Sequence, residues 1–125
     1  MDILLSSLEP QLHDEIYVYS TLSYNEFQSQ LADQPSLFTE CYAIIKETEE
    51  ITVFLEQELA DQRGYSYEFP CKRITLRVHS SLNAVGLIAK VATALANNGI
   101  SANTLSAYYH DHLLVPVEKA ELALD

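Results

Sequence analysis

Three titratable side chains in a row, His110, Asp111 and His112, stand between the aromatic pair Tyr108 and Tyr109 and the apolar run LLVPV (113–117). On a strand, residues two apart project to one face, so His110 and His112 would present their imidazoles together, with Asp111 as an outer partner. That is the beginning of a metal site, but zinc takes three protein ligands where it is catalytic and four where it is structural. No second Cys or His cluster completes the set: His13 and His79 stand alone in the sequence, although His79 closes a strand that could approach the hairpin. The stretch reads either as a polar turn belonging to a ligand site or, short of ligands, as a metal site on His110 and His112.

Other chemistry has less to stand on. Cys71 precedes Lys72 and Arg73, a setting that favours thiolate, against the commoner role of cysteine as a small buried hydrophobe. Glu49 and Glu50 fall at a hairpin tip, where solvated acids do no acid–base work. The nucleophile elbow, the zinc-protease helix, the phosphate loop and the dinucleotide fingerprint are all missing from the sequence. A protein without catalytic activity and without a cofactor is expected.

The elements that position these residues follow from periodicity. ITLRV (74–78) alternates Ile74, Leu76 and Val78 with Thr75 and Arg77, the pattern of a half-buried strand. In SSLNAVGLIAKVATALANNGI, Ser80, Ser81 and Asn83 are helix-start residues, and Leu87, Ile88, Val91, Ala92 and Leu95 recur on one face, which predicts a helix over 84–98 closed by Gly99. ISANTLSAY (100–108) and LLVPV form two strands with a turn near Tyr109 to His112. Pro116 cannot donate to a ladder, so its run lies at an edge or leaves pairing there. EKAELALD reads as a further helix.

The first half repeats the order: a strand at IYVYSTL (16–22), a helix near Tyr24 to Ala32, a hairpin of CYAIIKE and ITVFLE around Thr48 to Glu50, and a short helix, QELADQRG, ended by Gly64. The predicted fold class is therefore α+β, two tandem ferredoxin-like βαββαβ units over 1–70 and 71–125, each an antiparallel sheet with its helices on one face. The fourth strand of the second unit is expected from the apolar opening DILLSSL or from another chain.

Charge narrows the partners. Residues 1–69 carry fourteen Asp and Glu against Lys46 and Arg63, whereas residues 70–125 carry four acids against five bases. Such a field repels phosphate, so neither nucleic acid nor an anionic membrane is an expected partner. Two distant cysteines without CxxC spacing, no apolar leader and no run of about 20 apolar residues point to a reducing, cytoplasmic setting.

The strand, the loop SSLNAVGLIAKVATALANNGIS with a glycine at the head of its helix, and the strand leading into SAYYHDHLLVPVEKA resemble the ACT domain, a small regulatory fold that binds amino acids beside metabolic enzymes. The organisation is similar to that of paired ACT domains in short bacterial proteins and in the arginine sensors of animals, whose first unit carries a hairpin like TECYAIIKETEEITVFLEQE. In the commonest ACT loop an acidic residue and a proline precede the glycine; Asn83 and Val85 stand there instead, and a neutral Asn83 holds an ammonium less strongly.

The resemblance implies a regulatory module that binds a small amino acid at the interface between ACT units, as a homo-oligomer (dimer or tetramer) acting on a regulated enzyme. The implied site takes the ligand carboxylate on the amides of Asn83, Ala84, Val85, Gly86 and Leu87, at the positive end of the helix dipole. Gly86 admits a ligand to the backbone or, alternatively, lets the helix pack closely on the sheet. Asp111 receives the ammonium, and Ser106, Tyr108 and Tyr109 complete the site. The competing expectation is a structural oligomerisation module whose sheet edges pair chains and which takes no ligand.

Overall fold

The structure is a computed structural model that describes residues 8–77 and 85–124. By compactness the chain divides into a central unit, Ile16–Pro70, and a split unit made of Met1–Glu15 and Cys71–Asp125.

The central unit begins with residues 16–22 of strand β1 (Pro10–Leu22), followed by α1 (Tyr24–Asp33), α2 (Leu37–Glu40), β2 (Cys41–Lys46), β3 (Ile51–Glu56) and α3 (Gln57–Arg63). β3 lies between β2 and β1 and is antiparallel to both, in register Lys46↔Ile51 and Leu22↔Ile51. Glu47 N donates to Glu50 O at 3.1 Å, closing the hairpin at the acidic tip. Ser23 and Glu26 form a reciprocal capping box that starts α1, each side chain accepting from the other's backbone amide, and these bonds hold the Glu26 carboxyl below the usual carboxylate range. Gly64, at φ 72°, ends α3 in the left-handed conformation.

Alternation sorts the strand residues between the two faces of this sheet. Val18, Leu22, Val53 and Leu55 join Leu37 and Ala60 in the core under the helices. Tyr17, Tyr19 and Phe54 occupy the opposite face, with Tyr17 stacked on Phe54 at 5.0 Å and Tyr19 tilted against it at 4.9 Å.

The split unit runs β4 (Glu68–Leu76, of which 71–76 belong to it), α4 (Leu87–Asn97), β5 (Asn103–Ser106), β6 (Asp111–Pro116), a 3-10 turn at Val117–Lys119 and α5 (Ala120–Leu124). Its strand order is β1-β4-β6-β5, and residues 10–15 of β1 belong to this unit, filling the fourth position beside β4. β6 is antiparallel to β4 and β5; Pro116 is its last residue, beyond the reach of β5, which pairs only as far as Leu114. Ile74, Leu76, Leu113 and Val115 face Val91 and Leu95 of α4 and Ala120 and Ala123 of α5 in one core. Leu8 is buried in this core, while residues 2–7 of the opening stretch lie outside the described residues. The alternate positions, Arg73 and Thr75 on β4 and His112 and Leu114 on β6, share the other face, with Thr75 directly across from His112.

Among the described residues no helix is long and apolar enough to cross a membrane.

Candidate functional site

Gly86 stands immediately before α4 at φ 84°, ψ −4°, a conformation in which side-chain-bearing residues are strained. Among the described residues a Cβ placed there would meet nothing within 4 Å, so packing of the helix on the described sheet does not account for the glycine. Its positive φ does. A glycine has no side chain with which to cap the amides of the first helical turn. Val85 beside it is 97% exposed, and Leu87 leans on the core. Asn83, Ala84 and His79 lie outside the described residues.

The remaining expected site residues share one hairpin. Ser106 ends β5 and pairs with Asp111, the first residue of β6; Ala107 N donates to His110 O at 3.0 Å to close the turn. Tyr108 and Tyr109 sit in that turn, each 69% exposed, with rings edge to face at 4.9 Å. Asp111 also pairs with Leu76, the last residue of β4. The structure thus gathers Ser106, Tyr108, Tyr109 and Asp111 on the hairpin and Val85, Gly86 and Leu87 at the head of α4. A helix N-terminus receives anions and a carboxylate receives cations.

His110 and His112 do not form a strand pair, because His110 belongs to the turn and His112 to β6. His112 is buried, with Nδ1 2.9 Å from Thr75 Oγ1. His13 Nε2 reaches the same oxygen at 2.9 Å and Arg73 Nη1 donates to it at 2.9 Å. Burial first, then the charges of Arg73, His110 and His13, push the His112 imidazole down to about 4, against the opposing pull of Asp111. His13 is lowered too, by burial and then by Arg73. Among the described residues no group of three or more His, Cys, Asp or Glu is placed to hold a metal. Cys71 is fully buried, and burial pushes its thiol up to about 12, so the neighbouring Lys72 and Arg73 do not make it a thiolate.

Sequence reasoning missed this cluster because its members are 62 and 37 residues apart. The available signal was the alternation of ITLRV, which sets Thr75 opposite the core face.

It missed a second feature as well. The central unit holds a cleft of about 470 Å³ lined by Tyr19, Ser20, Thr21, Thr52, Ser66, Tyr67 and Glu68.

Comparison with known proteins agrees with this architecture. One ACT-domain profile matches residues 68–125 and another matches residues 1–72. Among proteins of curated function none matches the chain in sequence. A solved protein of unknown function from Vibrio cholerae, described as a possible transport protein, is 45% identical, with a TM-score of 0.82 over 97% of this chain and 87% of its own. The ligand-free regulatory subunit of aspartate kinase from Thermus thermophilus has a TM-score of 0.67 at 12% identity, over 92% of this chain and 90% of that one. Aspartokinase III of E. coli, in complex with aspartate and ADP, has a TM-score of 0.65 at 13% identity, over 93% of this chain but 31% of its own. These last two are likenesses of fold. With ACT-domain profiles spanning both halves and two units of ferredoxin-like order, the chain belongs to the ACT-domain family as a tandem of two such domains.

Proposed function

We propose that the protein is a non-catalytic regulatory module that binds a small amino acid at the head of α4, and that it works as a homo-oligomer reporting to a regulated enzyme. The observation that carries the reading is Gly86, held in the left-handed conformation with no described atom within 4 Å of where a Cβ would stand. The ligand carboxylate is received by the first-turn amides after Gly86 and the ammonium by Asp111, with Ser106 and the Tyr108–Tyr109 pair beside them. Asn83 and Ala84 belong to the same proposed site. Regulatory subunits of aspartate kinase share the fold, which fits an output passed to an enzyme. Binding acts by favouring one of two arrangements, and the shift it produces is limited by the difference in its affinity for them.

Thermal melting against the standard amino acids and divalent metals tests the reading. A ligand at a hundred times its dissociation constant adds about 2.7 kcal/mol, a shift of several degrees for a domain of this size. The expected result is a rise with one or a few amino acids that is lost in Asp111→Ala while the basal melting temperature holds. A response to zinc alone returns the choice to the metal reading on His110 and His112. No response at all, with a stable oligomer, leaves the structural oligomerisation module.

A further inference from the structure

β2 is the terminal strand of its sheet: it pairs with β3 on one side, and among the described residues no strand lies on the other. Alternate residues of such a strand turn their N–H and C=O away from the neighbour, so the edge presents a row of hydrogen-bonding groups. Edges are usually blunted by proline, by charge or by a bulge. Here the irregularity falls at the start, between Cys41 and Ala43, and beyond it Ala43 to Lys46 run in unbroken register with Phe54 to Ile51. That stretch holds no proline, and its one charge, Lys46, stands last. Ile45, across from Thr52, is 43% exposed, and Phe38, in the turn of α2 that leads into β2, is 64% exposed. The edge offers backbone groups and apolar surface together.

The far end of the strand adds charge. Glu47, Glu49 and Glu50 belong to the hairpin tip, which is tied down where Tyr24 Oη donates to Glu47 O at 2.7 Å and Thr52 Oγ1 donates to Glu47 Oε1. No ion pair to these three carboxylates occurs among the described residues, and Lys46 offsets the charge of only one. The unit as a whole, Ile16–Pro70, carries ten acids against Lys46 and Arg63. A second copy laid on this edge would set one such unit against another, which like-charge repulsion opposes.

We infer that the β2 edge takes an extended segment of a partner protein as an added strand, and that this segment is basic where it passes the hairpin tip. Main-chain bonds supply the attachment, apolar side chains of the segment cover Ile45, and its Lys or Arg residues meet Glu47, Glu49 and Glu50. β2 runs towards the tip, so antiparallel addition, the more stable arrangement, starts the segment there. The basic residues then stand at the N-terminal end of the segment. The inference does not rest on the amino-acid site at the head of α4.

The test is amide NMR and hydrogen exchange of the full chain with the synthetic peptide KRVTVTI, at an ionic strength of about 0.15 M, where diffuse surface attraction is screened. Saturable shifts and slowed exchange concentrated at Ala43 to Lys46 are expected. EEVTVTI, with its charged end reversed, should bind about tenfold more weakly. KRVPPTI, in which one of two adjacent prolines must fall on the bonded side, should leave exchange there unchanged. Glu49→Lys combined with Glu50→Lys should weaken binding of KRVTVTI by a similar factor; if that pair disturbs the hairpin, the two control peptides carry the test. Equal binding of KRVTVTI and EEVTVTI, equal protection by KRVPPTI, or no response to KRVTVTI would each overturn the inference. So would protection of Ala43 to Lys46 that grows with protein concentration in the absence of peptide, which assigns the edge to a second copy.

Discussion

His13 on β1 and His112 on β6 meet on a single hydroxyl: His13 Nε2 and His112 Nδ1 each lie 2.9 Å from Thr75 Oγ1. A threonine hydroxyl has one proton and two lone pairs, and Arg73 Nη1, at 2.9 Å, occupies one lone pair. One imidazole must therefore donate to Thr75 and the other must accept from it. The accepting ring cannot take up a proton at that nitrogen without setting N–H against O–H in a buried site.

A pH dependence follows. The His112 imidazole is pushed down to about 4 from an ordinary 6.5 by burial and by Arg73, His110 and His13, with Asp111 opposing. The unfolded chain takes up this proton first, so the contribution is complete above pH 6.5 and is lost as pH falls toward 4. The expected loss is on the order of 2–3 kcal/mol across that window. Denaturant midpoints for the wild type and His112→Asn, whose amide can either accept from Thr75 or donate to it, should diverge as the solution is acidified. Parallel pH profiles for the two proteins would contradict the assignment.

The left-handed backbone at Gly86 makes a second prediction. No described residue lies within 4 Å of a Cβ there, so Gly86→Ala meets no clash with them and loses the conformational freedom that φ 84° requires. The cost should be about 1–2 kcal/mol in equilibrium unfolding. A neutral or stabilising substitution would show that the loop does not hold this conformation.

Both cysteines should be silent in the folded protein. Burial raises the Cys71 thiol to about 12 and the Cys41 thiol to about 11, so little thiolate exists at neutral pH. A thiol reagent such as DTNB should modify neither cysteine until denaturant is added. Rapid labelling of Cys71 in the native state would instead mean that its face of the sheet opens.

Local order was legible where short-range chemistry determines it. The β2–β3 hairpin, the end of α3 at Gly64 and the apolar stripe of α4 all rest on contacts within a few residues. β1 was read only from Ile16 because PQLHDE (10–15) has too few apolar residues to announce a strand, and its place beside β4 is a long-range fact. Pro70, the last residue of the predicted first unit, lies inside β4, where Phe69 turns the strand at φ 58°. The single turn α2, only Leu37–Glu40, is too short to carry a period. The sharing of Thr75 by two histidines depends on partners brought together by folding.

The central claim, that an amino acid is received at the head of α4, is tested most directly by mapping amide chemical shifts on addition of the amino acid that most raises the melting temperature. The account predicts saturable shifts at the amides of Val85 to Ala89 and of Asp111, abolished by Asp111→Ala in a protein that remains folded. Shifts that leave those amides unmoved, or that survive the substitution at full affinity, would contradict it.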